Sequence, residues 1–448
     1  MPFFQGTALA ACLTAACTIS PLGNVPAGTA ALTGIRATDT AQITAAARPA
    51  SGTALPVSSF RAADAGPGIS ALSSGDNYAQ YQWGLKNNGD LRMVEIRDRF
   101  AYGGSAYTPT ENGPHVGLPI PNEPGNYEVL TTDAVAGIDI NIAPAWDLYD
   151  GSDTNRDVIV AVIDTGVDIV HPDLKNSIWT NGGEIPGDGI DNDGNGYVDD
   201  YFGWDFFYND PSVFSGGSSE DTHGTHVAGT IAAGRGNGGM AGITGSEHVK
   251  IMTLKALGTS QGVGTPEDVI AAIRYAEANG ASICNLSFCS NAYTQELADT
   301  IRDSSMLFVV AAGNGDANGI GYSIDTTPTY PASLPFDNII TVSNLMFDGN
   351  LDTSSNYGAL SADIAAPGTY IVSTIPGGYG FLSGTSMAAP MVTGAAALLY
   401  SYRPDFTVLD VKDALLQSAR KLDTLTGRVS TGGMLDVGAA FGWQKAAQ

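Results

Sequence analysis

The strongest constraint on this chain is a series of apolar runs that do not alternate with polar residues. They are VIVAVIDTG (158–166), VKIMTLKAL (249–257), ASICNLSF (281–288), MLFVVAAGN (306–314) and NIITVSNL (338–345). A strand with one wet face alternates, whereas a run that is apolar throughout suits a strand covered on both faces, as in a parallel sheet flanked by helices. Helical signals fall between the runs. Thr265-Pro266-Glu267-Asp268 supplies a cap residue, a first-position proline and first-turn acids, and Gly280 marks the stop. Residues 294–304 and 407–418 read as amphipathic helices, and 387–400, almost without a polar face, as a helix buried on every side. The expected fold class is α/β: three layers, with a mostly parallel central sheet and helices on both faces.

The chain has 448 residues, enough for a sizeable core. Residues 1–75 read as a signal-like leader and a low-complexity pro-segment, because their Ala, Thr, Ser, Gly and Pro cannot bury a core. Residues 76–137 read as an N-terminal extension whose aromatics, in NYAQYQWGLKNNGD (77–90), dock on the catalytic domain expected at 138–448. The opening MPFFQGTALAACLTAACTIS has a short apolar stretch and small-residue sites like those of a secretory signal, with no Lys or Arg before Arg36. A secreted or cell-surface protein is expected, and LAAC and TAAC resemble lipoprotein cleavage sites. No later run reaches the ~18 apolar residues of a membrane span. Acidic side chains outnumber basic ones 46 to 20, a formal charge of −26, which repels nucleic acid and anionic membranes. Cys12, Cys17, Cys284 and Cys289 have no metal-binding spacing and are too few for a disulfide framework. Cys284 and Cys289 read equally as a pair or as buried thiols. A monomer is expected.

Four polar residues stand at the ends of predicted elements, where ligands bind in such sheets. Asp164 follows the first run; taken alone it is a turn aspartate. His223 heads the small-residue helix of DTHGTHVAGTIAAG, and with His226 at i+3 it lacks the glutamate of an HExxH metal motif. Asn314 follows a strand at a Gly turn, where an amide is a turn former or an oxyanion donor. Ser386, in FLSGTSMAAPMVTGAAALLY, sits where a helix cap is expected, with Pro390 accommodated as a first-turn proline.

Taken together and in order, VIDTGVDIVHPDL, DTHGTHVAGTIAA, AAGNG and GTSMAAPMVTGAAAL resemble the subtilisin-like serine peptidases, the subtilases, over roughly residues 138–441. Asp, His, Ser is that family's chain order. The resemblance implies a serine endopeptidase acting through an acyl-enzyme: Ser386 the nucleophile, His223 the general base and then acid, Asp164 the carboxylate that orients the imidazole, and Asn314 the side-chain oxyanion donor. A serine hydroxyl needs such a base, because alone it is a weak nucleophile at neutral pH. His226 is implied to be structural.

The same resemblance places Gly262, Val263 and Gly264 on one wall of a groove for extended polypeptide, Leu286 and Ser287 on the other, and Thr329 at the pocket base. No acid aligns with Thr329, so an apolar or unselective preference is expected. Asn285-Leu286-Ser287 is also a glycosylation sequon, on a strand that makes a poor acceptor. The chain's own N-terminal pro-segment is a further expected partner. Calcium is the expected cofactor: DGIDNDGNGYVDDYFGWDF offers Asp191, Asp193, Asn195 and Asp199 as oxygen ligands, with Phe202 where an EF-hand has its glutamate. Asp173 matches a further calcium position of the family. Asp164-Thr165-Gly166 is also the aspartic-protease triplet, but no second copy exists to share the proton. GTSMA is not the G-x-S-x-G of a lipase elbow. A catalytically silent module of the same fold is the non-enzymatic alternative.

Overall fold

The computed structural model describes residues 75–89, 91–98, 127–216, 219–259 and 261–445, with only the backbone at 13–15, 18–20, 59–62, 92–98 and 127–131. Apart from those short strands, the expected leader lies outside the described residues, as do Cys12 and Cys17. The first strands are β1 (Leu13–Ala15), β2 (Thr18–Ser20), β3 (Ser59–Ala62), β4 (Leu91–Asp98) and β5 (Tyr127–Asp133), followed by α1 (Ala143–Asp150). Then come β6 (Val158–Asp164), β7 (Gly203–Asp205), α2 (Thr222–Ala232), β8 (Val249–Lys255), β9 (Val263–Gly264) and α3 (Pro266–Ala278). They lead into β10 (Ile283–Leu286), β11 (Phe288–Cys289), α4 (Gln295–Asp303), β12 (Leu307–Ala311) and β13 (Ile339–Leu345). The chain closes with β14 (Ile364–Pro367), β15 (Ile371–Ile375), β16 (Gly378–Ser383), α5 (Thr385–Tyr402), α6 (Val408–Gln417), β17 (Arg420–Lys421), β18 (Gly433–Met434) and α7 (Val437–Phe441).

Nine strands form the central sheet, in the order β17-β18-β14-β13-β12-β10-β6-β8-β7. Every pairing is parallel except β17 with β18. The five apolar runs supply β6, β8, β10, β12 and β13, the middle of the sheet, where both faces are covered. α2 and α5 pack on each other and on the sheet, as α3 and α4 pack together, so the three-layer α/β expectation holds. The α3 start follows its sequence signal: the Thr265 side chain accepts the Asp268 N–H and Pro266 occupies the first turn.

The described part of the 76–137 extension shares this core. Trp83 is fully buried and donates its indole N–H to Thr369 O at 2.9 Å. The Gln82 amide exchanges two hydrogen bonds with the backbone of Ala241, and the Asp76 carboxylate accepts N–H groups of Gly236, Asn237 and Gly238. Further along, β4 pairs antiparallel with both β3 and β5.

Candidate active site

Parallel strands put their carboxyl ends on one edge of the sheet, and the residues that carry chemistry cluster there. Asp164 ends β6 and is fully buried. Its Oδ1 accepts the Thr165 N–H and meets His223 Nδ1, both at 2.7 Å. His223 is the second residue of α2, buried with 4% exposure. A carboxylate on Nδ1 fixes the imidazole tautomer and makes Nε2 the basic nitrogen of the ring.

Ser386 belongs to the first turn of α5, but not as its cap. The cap is Gly384, at φ 148°, a backbone conformation that suits glycine, and Ser386 is the second helical residue. Its N–H therefore falls among the donors that have no acceptor within the helix, at the positive end of the helix dipole. The Ser386 hydroxyl donates to Ser287 O at 2.7 Å. Pro390 is also displaced from the expected first turn: it is the sixth residue of α5.

Asn314 lies three residues beyond β12. Its Oδ1 accepts both the N–H and the hydroxyl of Thr385 at 2.9 Å. Because a backbone N–H can only donate, this pair identifies the oxygen side of the amide and leaves Nδ2 as the donor toward the cleft. His226, fully buried, bonds through Nε2 to Ile371 O, and burial drives its pKa down to about 3, so it is a neutral structural ring.

The strands expected to wall a groove lead to β9 and β11. Between them lies β1, antiparallel to both: Leu13 and Thr14 face Gly264 and Val263, while Thr14 and Ala15 face Cys289 and Phe288. On the far side, β2 pairs with β16, with Thr18 opposite Ser383, three residues before Ser386. Val263 and Gly264 form β9, and Gly262 stands just before it. Leu286 ends β10 with its side chain fully buried in the core, and Phe288, in β11, is equally buried. Ser287 is turned toward Ser386. Thr329 is buried and donates its hydroxyl to Ala312 O. Cys284 is a buried free thiol, and Asn285 of the sequon is fully buried.

The acidic loop differs in detail from its sequence motif. Asp191 turns its carboxylate to the N–H groups of Gly196, Gly194 and Asn195, which hold its pKa below the usual range. Asp199 caps Gly187, Asp188 and Gly189 in the same way, and Asn195 Nδ2 donates to Asp193 and Asp200. The carboxylates that converge are Glu184, Asp193 and Asp200, with one oxygen from each within 4.8 Å of the others. Of the four expected ligands only Asp193 is in this cluster. Asp200 stands beside the motif, and Glu184 lies upstream of it; only folding brings them in. Glu184 is 5% exposed, and its Oε2 has no partner among the described residues. Such a buried anionic oxygen, beside two more hard oxygen donors, fits a calcium-type cation. Asp173, by contrast, accepts the Met240 N–H and the Tyr379 hydroxyl.

A doubly covered parallel sheet with Asp164, His223, Asn314 and Ser386 at one edge defines a subtilisin-type serine peptidase domain. The chain belongs to the subtilase family, whose model matches residues 155–443. It is 36% identical over 297 residues to subtilisin-like protease 1 of Plasmodium vivax, covering 62% of this chain and 46% of that protein. Over 273 residues it is 35% identical to the major intracellular serine protease of Bacillus subtilis, covering 59% of this chain and 75% of that protein. Thermitase of Thermoactinomyces vulgaris is 35% identical over 267 residues, covering 58% of this chain and 80% of that protein. The chain spans about half the length of its Plasmodium relatives.

Proposed function

We propose that the chain is a serine endopeptidase that hydrolyses extended polypeptides through an acyl-enzyme. The observation that carries this reading is the 2.7 Å contact of Asp164 with His223 Nδ1, at the sheet edge where Ser386 opens a helix. In this mechanism His223 Nε2 takes the Ser386 proton as Oγ attacks the scissile carbonyl. The Ser386 N–H and Asn314 Nδ2 receive the oxyanion, and His223 then delivers its proton to the leaving amine. Water repeats the cycle on the ester. Backbone pairing with β9 and β11 holds the substrate with little demand on its side chains. The residues of the Thr329 pocket favour apolar or unselective recognition.

Calcium, in this reading, is held by Glu184, Asp193 and Asp200 and cross-links the acidic loop without entering the chemistry. The chain's own N-terminal segment is its first partner: the pairing of β1 with both groove walls and of β2 with β16 supports a substrate-like pro-segment. The signal-like start supports export, and the strong negative charge favours a monomer that does not bind nucleic acid. The deciding experiment is covalent labelling with a fluorophosphonate. Wild-type protein should label and cleave an unfolded polypeptide, and Ser386→Ala should do neither. A purified wild type that neither labels nor cleaves would establish the catalytically silent module instead.

A further inference from the structure

Lys255 ends β8 and is fully buried, yet no step of the mechanism uses it. Strand register sets it in a row with two aspartates, Asp164 of β6 on one side and Asp205 of β7 on the other. Residues aligned across neighbouring strands project from the same face, so the row reads carboxylate, ammonium, carboxylate. The ammonium, however, is drawn toward α2. Nζ lies 2.9 Å from Asp221 Oδ1, 3.0 Å from Glu220 Oε1 and 2.9 Å from Ser215 Oγ. Asp221 is the cap position of α2, two residues before His223. It also accepts the N–H and hydroxyl of Ser215, and its carbonyl takes the Thr225 hydroxyl at 2.6 Å.

The turn after Asp164 is shaped around this ion pair. A Cβ on Gly166, where φ is 108°, would lie 2.6 Å from Asp221 Oδ1 and 3.2 Å from Lys255 Cδ. Glycine is needed there for its positive φ and because Asp221 Oδ1, Val213 O and Lys255 Cδ all crowd the place of a Cβ. Just beyond Lys255, the N–H groups of Ala256 and Leu257 both bond to Asp164 O, and the chain then enters the groove wall β9. One buried cation thus joins the strand of the catalytic aspartate, the helix of the catalytic histidine and the segment leading to the substrate wall.

We propose that Lys255 is a positioning residue: by drawing Asp221 onto the end of β8 it fixes the start of α2, and with it the His223 ring, against Asp164, while balancing the acids around that ring. This rests on the serine-peptidase reading. Burial opposes the Lys255 charge, but Asp221 and Glu220 outweigh it and raise its pKa. Burial pushes the Asp205 carboxyl up to about 7 against the pull of Lys255. The titratable groups on the elements around His223 are Asp164 on β6, Glu220 and Asp221 before α2, Lys255 on β8 and, on β7, Asp205, which keeps its proton below about pH 7. Asp168, after β6, faces α2 and is capped by the Val170 and Gly377 N–H groups. His226 is neutral.

The test is kcat, KM and the pH dependence of kcat/KM for wild type, Lys255→Met, Lys255→Arg and Asp221→Asn on a peptide substrate. Lys255→Met and Asp221→Asn should lower kcat roughly 10- to 100-fold, the scale of a small misplacement of a catalytic group, with KM changed by less than about threefold. Their acid limbs should move in opposite directions by roughly half a pH unit or more. Without Lys255 the surrounding carboxylates favour the imidazolium and the limb rises; without the Asp221 charge, Lys255 disfavours it and the limb falls. Lys255→Arg should restore both rate and limb. Should Lys255→Met fail to fold, an unchanged limb in Lys255→Arg beside a lowered one in Asp221→Asn supports the proposal equally. With an active wild type, limbs that stay put or move together overturn the role of Lys255 alone. A wild type with neither label nor turnover overturns the peptidase reading beneath it.

Discussion

Ser287 and Ser386 are joined by two hydrogen bonds of opposite sense. The Ser386 hydroxyl donates to the Ser287 carbonyl at 2.7 Å, and the Ser287 hydroxyl donates to the Ser386 carbonyl at 3.0 Å. The second bond answers a gap in the helix. Pro390, four residues after Ser386, has no N–H to offer that carbonyl, so Ser287, between β10 and β11, supplies the donor. Asn285 Nδ2 in turn donates to Ser287 Oγ, and the Thr393 hydroxyl donates to Asn285 Oδ1. Ser386 is thereby tied to the link between β10 and β11.

Ser287→Ala should therefore destabilise the protein by about 1–3 kcal/mol, the cost of leaving a buried acceptor unpaired, and lower kcat. Adding Pro390→Ala returns an N–H four residues on and should recover part of the loss. Urea denaturation of the two single variants and the double variant measures this coupling. Strictly additive effects would mean that the Ser386 carbonyl is not their shared partner.

Asn314→Ala should reduce kcat by roughly 10²–10³-fold with little change in KM, the scale known for this donor in the family. Thr385 loses an acceptor for both its N–H and its hydroxyl in the same variant, so the thermal midpoint should fall as well. A large rise in KM at constant kcat would assign Asn314 to ground-state binding instead.

Chelation should lower the thermal midpoint. Calcium at about one hundred times its Kd stabilises by ~2.7 kcal/mol, and a gain of that order should appear in calcium-supplemented wild type. It should be greatly reduced in Glu184→Gln and Asp200→Asn, the buried members of the cluster. A midpoint indifferent to chelator would remove calcium from the account.

Stability should depend on pH through two groups of opposite sign. The folded pKa of His226 is near 3, below the ~6.5 of an unfolded chain. The unfolded state then binds the extra proton, and stability present above about pH 6.5 is lost toward pH 3, at up to ~1.4 kcal/mol per pH unit. Asp205, pushed up to about 7, keeps its proton in the folded state, so its contribution is lost as pH rises from about 4 to 7. Relative to wild type, Asp205→Asn should be more stable at pH 8 than at pH 4, which denaturation at the two pH values checks.

The pairing of β1 and β2 on either side of Ser386 predicts where the chain cuts itself. Intact-mass analysis should find wild-type protein cleaved between Ala15 and Thr18, and Ser386→Ala uncleaved there. The same intact bond in both proteins would show that this segment is not a substrate of its own site.

Much of this was legible in the residue order. Asp164, His223, Asn314 and Ser386 lie in long local motifs, and each motif carries its own secondary structure with it. The buried middle strands announced themselves because a strand covered on both faces has no reason to alternate. The three-residue β7 and the β15–β16 hairpin did not, being too short or too mixed for a periodic signal. That Leu286 ends β10 with its side chain in the core is a placement that a motif match does not report.

Residue order alone established the fold class and family and pointed to Asp164, His223, Asn314, Ser386 and the acidic loop, since these rest on local pattern and residue type. Only the tertiary structure decided who partners whom. Glu184 reaches Asp193 and Asp200 because its Oε1 accepts the Asn192 and Asp193 N–H groups. Ser287 feeds the carbonyl that Pro390 cannot reach. Lys255 meets Asp221 across a glycine because three strand ends and one helix start converge there. Contacts of this kind depend on burial, which removes water as the alternative partner, and burial belongs to no single stretch of the chain.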